Sequence, residues 1–197
     1  MFFFLHHKKI KKPLLAGFSL IELMVTIGIV MLVTGLVMVR YSSFNSTVVL
    51  RSQAYELALD IREAQVFGVS VGGNSGSFRL AYGIYIDLQS PNTYLLFQDI
   101  SGGTSKMYDI GEEVGERYTI DPRFSISSIC TTVGGIETCD TAQSAHASIA
   151  FKRPDFDAVI TTDSVANPDQ ITLIISTNDG TASQRVVVYS SGQISVQ

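Results

Sequence analysis

Ala16-Gly17-Phe18-Ser19-Leu20-Ile21-Glu22-Leu23-Met24 opens an apolar run that continues to Val39. Glu22 is the only charged residue in the 22 positions from Phe18 to Val39. A run of that length crosses a hydrocarbon layer of about 30 Å as a helix. A carboxylate inside such a span is costly, so by default it marks function. Lys8, Lys9, Lys11 and Lys12 precede the run. By the positive-inside rule they hold the first segment in the cytoplasm and send the C-terminal bulk outside. A secretory signal peptide has an apolar core of about 7–15 residues with a small-residue cleavage site after it. Here the small residue Gly17 stands before the run, and no Ala-x-Ala-like site follows within reach. A plain single-pass anchor accounts for the length and the lysines and leaves Glu22 without a reason.

Beyond Val39 the helical pattern continues without a breaker. Phe44, Val48, Leu50, Ala54, Leu57, Ala58, Ile61 and Ala64 fall largely at three- and four-residue spacings, with Arg51, Glu56, Asp60, Arg62 and Glu63 mostly between them. The spacing predicts one helix from about Phe18 to Val69, ending at Gly72-Gly73, apolar all round in its first half and amphipathic in its second. Gly28 and Gly35 lie seven apart in the span, on nearly one face. Small residues there let helices approach closely in a membrane, and ordinary tolerance of glycine in such helices is the alternative.

From Ser77 the texture becomes β. Arg79–Ile86 and Thr93–Phe97 flank the turn Ser90-Pro91-Asn92 and read as a hairpin. Further predicted strands are Arg117–Ile120, Phe124–Ile129, Ala147–Phe151, Ile171–Ser176, Arg185–Tyr189 and Gln193–Val196. Turn formers such as Arg153-Pro154-Asp155, Ala166-Asn167-Pro168-Asp169 and Asn178-Asp179-Gly180 separate them. The expected class is α+β: a long N-terminal helix, transmembrane in its first half, whose amphipathic half packs on an antiparallel β-sheet domain. The chain divides into a basic leader (1–17), the membrane half of the helix (18–39), its amphipathic half (40–71) and a β-rich extracytoplasmic domain (72–197).

The formal charge of −4 hides an asymmetry. The leader holds four of the fourteen Lys+Arg and none of the eighteen Asp+Glu, leaving ten basic against eighteen acidic residues, or −8, in the remainder. That balance argues against a nucleic-acid partner, which calls for a basic face. Cys130 and Cys139 flank Gly134-Gly135, which suits a hairpin turn bringing two strands together. An extracytoplasmic compartment permits a disulfide between them, worth roughly 2–3 kcal/mol in the chain-entropy model. Two free thiols in a reducing cell, or half of a metal site, are the alternatives.

Gly17-Phe18-Ser19-Leu20-Ile21-Glu22-Leu23, set behind a short basic leader, resembles the prepilin N-terminus of type IV pilins and pseudopilins. The resemblance implies that a prepilin peptidase cuts after Gly17 and methylates the new N-terminus at Phe18. It also implies that Glu22, the fifth mature residue, pairs with a neighbouring subunit's α-amine during assembly. It further implies residence in the cytoplasmic membrane with the N-terminus inside, then polymerisation through the helix. The implied partners are other pilin or pseudopilin subunits, a membrane assembly platform driven by a cytoplasmic ATPase, and the lipid bilayer. A second resemblance rests on Tyr82-Gly83-Ile84-Tyr85, a Phe151-containing strand and the hairpin from Arg185 to Ile194. It is similar to H-type minor pseudopilins and FimT-like minor pilins, and it implies a minor pseudopilin of a type II secretion-like system. A pilin of an adhesion, motility or DNA-uptake pilus is the alternative. Many pilins carry a helix-kinking proline; here none stands between Pro13 and Pro91.

Other sites are weaker. Asp99, Asp109 and Glu112 group oxygen ligands around glycines in a pattern calcium accepts, but the spacing departs from an EF-hand, and a solvated acidic loop is the plainer reading. His146 is the sole histidine after the leader, and no nucleophile–base constellation or phosphate loop stands out. The chain reads as the substrate of an enzyme and not as an enzyme, with no cofactor expected. A membrane-anchored binding module that never polymerises is the rival of a different class.

Overall fold

A computed structural model describes residues 17–70, 80–101, 106–165 and 167–197, without the side chains of residues 39–45. The long periodic pattern forms a single helix, α1 (Leu20–Val69, 50 residues). Its start lies two residues after the predicted Phe18, because Ser19 occupies the cap position. The predicted stop at Gly72-Gly73 lies outside the described residues. Two compact units divide within α1: the first ends at Ser43, and the second is Phe44–Gln197.

In the first unit, Leu20–Met38 has a mean hydropathy of 2.4, and none of it is buried. Its 19 residues span about 28 Å at the helical rise, close to the thickness of a hydrocarbon core. The apolar side chains face outward all round, and the Thr26 hydroxyl is answered locally: Oγ1 donates to the Leu23 carbonyl at 2.9 Å. That suits a medium without water, where an unanswered polar group costs several kcal/mol. The helix is long and apolar enough to anchor the chain in a membrane.

The second unit is α+β. Its strands are β1 (Ala81–Asp87), β2 (Thr93–Asp99), β3 (Tyr118–Thr119), β4 (Phe124–Val133), β5 (Ile136–Asp140), β6 (His146–Phe151), β7 (Ala158–Thr162), β8 (Gln170–Thr177), β9 (Ser183–Tyr189) and β10 (Ile194–Val196). They form two five-stranded antiparallel sheets, β3-β2-β1-β6-β7 and β10-β9-β8-β4-β5. Each predicted strand has a counterpart, shifted by a residue or a few; the predicted Arg117–Ile120 narrows to two residues. Strand β7 was not anticipated.

Both sheets and the second half of α1 share one apolar core. Leu50, Ala54, Leu57, Ile61 and Ala64 recur on one helical face and meet Ile84, Ile86 and Ile149 of the first sheet and Ile126, Leu173 and Val186 of the second. Each fully buried Leu or Ile contributes about 1.5–3 kcal/mol by leaving water. The helix approaches the first sheet so closely at Gly68 that an added Cβ would lie 2.4 Å from the Phe151 carbonyl oxygen. The other face of the first sheet has its own small core of Ala81, Leu95, Phe97 and Ala150, capped by Tyr85 and Tyr108. Tyr108 reaches it because its N–H donates to Ser148 Oγ on β6 at 3.2 Å.

Candidate functional site

The residues singled out in the sequence occupy three places. At the start of α1, Gly17 and Phe18 are exposed, Phe18 at 82 %. Ser19 caps the helix: its Oγ accepts the Glu22 N–H at 3.3 Å, and its carbonyl accepts the Leu23 N–H at 3.2 Å. Glu22 therefore stands in the first turn, three residues after the cap, where its negative charge faces the positive end of the helix dipole. That local effect is worth about 0.3–1 kcal/mol. Ser19 was missed in the sequence, although Ser-x-x-Glu before an apolar run is the spacing of a helix cap. Among the described residues no cation lies within ion-pair distance of the Glu22 carboxylate. Gly28 and Gly35 have open space where a Cβ would point, so nothing described in the chain requires them to be small.

The second place is the β4–β5 hairpin. Cys130 and Cys139 are directly paired across it, with Cα atoms 3.9 Å apart, and form a disulfide. Gly134 and Gly135 make the two-residue turn with φ of 58° and 83°, a conformation that favours glycine at both positions. A cleft of about 220 Å3 beside Cys139 and Asp140 is also lined by His146 and Asp163. His146 Nδ1 lies 3.0 Å from Asp163 Oδ2, its Nε2 3.6 Å from Asp87 Oδ1, and its backbone N–H donates to Asp163 at 2.6 Å. The ring also stacks on Tyr85. His146 thus joins the end of β1 to the loop after β7, with both ring nitrogens directed at carboxylates. Arg185 near the start of β9 is ion-paired with Glu137 of the hairpin.

The third place is the acidic loop. Asp99 is buried and ion-paired with Lys106. Glu112, also buried, spends its carboxylate on backbone: Oε1 accepts the N–H groups of Ile100 at 2.8 Å and Ser101 at 3.0 Å, and Oε2 accepts that of Asp109 at 3.0 Å. The Asp109 side chain stays exposed. Of the three acids considered for calcium, Asp99 and Glu112 are thus committed to different partners, and Asp109 faces solvent. Among the described residues no group of three or more His, Cys, Asp or Glu side chains is placed to hold a metal ion. Next to this loop Tyr108 donates to the Glu113 carboxylate, which lies below its usual range chiefly because of that bond.

No protein-family model, curated protein or solved structure matches the chain.

Proposed function

We propose that this chain is a structural subunit of a type IV filament, most like a minor pseudopilin of a type II secretion-like system. In this reading it enters the cytoplasmic membrane as a precursor, is cut after Gly17 by a prepilin peptidase and methylated at Phe18, and polymerises through α1. One observation carries the reading: an exposed Gly17-Phe18 junction stands directly before a capped, unburied apolar segment, Leu20–Met38, whose sole charge is Glu22. A peptidase needs an accessible bond, and a carboxylate unmatched by a cation among the described residues suits a partner that arrives with assembly. The extracytoplasmic placement of the second unit is supported by its disulfide, which oxidising compartments favour.

A second reading, a membrane-anchored module that does not polymerise, draws on the Ser19 cap, because Glu22 then has a local task in starting the helix. Intact mass and the N-terminal peptide of the protein from its native membranes separate the two. A mature chain beginning at N-methylated Phe18 is the expected result. A chain retaining Met1–Gly17 in cells with an active prepilin peptidase overturns the filament reading.

A further inference from the structure

A strand at the end of a sheet exposes backbone hydrogen-bonding groups that another chain can join. The ends of the two sheets are treated differently here. At β7 the chain closes its own edge: Ala158 N–H donates to the Ser190 carbonyl at 2.8 Å, Thr162 N–H to that of Val165 at 3.0 Å, and the Ile160 carbonyl accepts from Asn167 at 2.8 Å. Strand β5 has Ile136–Cys139 exposed and carries Glu137 and Asp140, charges that discourage pairing.

Strand β10 differs from both. Arg185 and Gln197 exchange both of their backbone bonds, at 3.0 and 2.9 Å, and Tyr189 N–H donates to the Gln193 carbonyl at 2.9 Å. In an antiparallel ladder successive residues address opposite neighbours. Positions 193, 195 and 197 therefore bond β9, and Ile194 and Val196 turn their N–H and C=O groups to the far edge, where no strand lies among the described residues. Alongside that edge runs a groove of about 210 Å3, walled by Tyr55, Ala58, Leu59 and Arg62 of α1 and by Ile194 and Val196. Leu59 is 65 % and Tyr55 45 % exposed, while Ile194 and Val196 pack against the main core. Arg62 is the charged residue among the described residues that line the groove.

We propose that this groove binds an extended peptide segment of a partner protein, which adds to β10 as a sixth strand of the second sheet. The open N–H and C=O groups of Ile194 and Val196 select a backbone in the extended state. The apolar walls select alternate aliphatic side chains on that segment, and Arg62 selects an acidic residue. The inference concerns the second unit alone and holds whether or not the chain polymerises.

The test uses the full chain, isotopically labelled, in detergent micelles, with the acetylated peptide Val-Thr-Val-Thr-Val-Asp as probe. Saturation with the peptide is expected to slow hydrogen exchange of the Ile194 and Val196 amides at least about ten-fold, since each gains a bond worth of that order. The same peptide N-methylated on alternate backbone nitrogens is expected not to bind. Val196→Pro removes an outward N–H that β9 does not use, a place where a strand tolerates proline, and is expected to lower affinity about ten-fold or more. Arg62→Ala is expected to weaken binding by up to about five-fold, as for an exposed ion pair. Unchanged amide exchange at saturation overturns the proposal. So does equal binding of the N-methylated peptide, a control that needs no variant to fold.

Discussion

On the proposed filament reading Glu22 is subject to two forces of different size, and the difference can be measured. Its place opposite the helix dipole is worth about 0.3–1 kcal/mol, whereas leaving a buried α-amine without its carboxylate costs about 3–5 kcal/mol. Glu22→Ala is therefore expected to abolish incorporation into sheared filaments while membrane insertion and the thermal midpoint of the β domain stay at wild-type levels. Incorporation at the wild-type level would sink the charge-pair account. Gly83 shows a constraint of another kind. It pairs across strands with Phe97, and a Cβ there would lie 2.7 Å from Phe97 Cε1 and 2.6 Å from the Ile149 carbonyl oxygen. Gly83→Ala is expected to destabilise the domain by about 1–3 kcal/mol in chemical denaturation, as other overpacked cores do. Glu22 was legible because its oddity lies within its own segment. The demand on Gly83 was not, because it depends on which residue the register sets opposite.

At the scale of elements, the sequence was most readable where periodicity is long or turns are explicit. The spacing from Leu50 to Ala64 foretold the buried face of α1, and Gly134-Gly135 foretold the hairpin that aligns Cys130 with Cys139. Strand β7 escaped because Ala158-Val159-Ile160-Thr161-Thr162 is a short run between two turn clusters, and its partner β6 gives no local sign. Asp99 and Glu112 were read as acids of a solvated loop, with a weaker claim on calcium, because nothing local showed that Lys106 and the backbone of Ile100, Ser101 and Asp109 would claim them. Replacing both cysteines, Cys130→Ala with Cys139→Ala, is expected to cost about 2–3 kcal/mol in urea unfolding, the closure entropy of a short loop. A smaller loss would show that the Asp169 carboxylate, which accepts the Gly134 N–H at 2.6 Å, already holds the tip.

For the whole molecule, the division of strands between two sheets could not be read locally, since it depends on pairings between distant segments. It has an electrostatic result. Tyr85 and Tyr108, on the outer face of the first sheet, are both pushed up to about 12, chiefly by burial and then by the carboxylates of Asp87 and Asp163 and of Glu113, respectively. Tyr94, buried and donating to Asp60, and Tyr118 stacked on it are also raised, burial again being the main cause. A folded-state value above the ordinary 10 means that the folded protein holds these protons more tightly than the unfolded chain. Their contribution is complete below pH of about 10 and is lost as pH rises toward 12. Alkaline titration is expected to show tyrosinate absorbance from these four residues rising together with loss of the far-ultraviolet dichroism of the sheets. Full ionisation with the sheets intact would contradict this.

The strand order also governs how the chain can fold. Strand β1 finds its second neighbour only in β6, where Tyr82 lies opposite Phe151, and β4 waits for β8, where Phe124 lies opposite Thr177. Local hairpins form quickly, but these distant closures must precede any shared core, and such topologies fold slowly. Until β8 emerges, the edge of β4 opposite β5 has no strand beside it and its backbone N–H and C=O groups are open to another chain, so the last third of the chain acts as an internal guard against aggregation of the middle third.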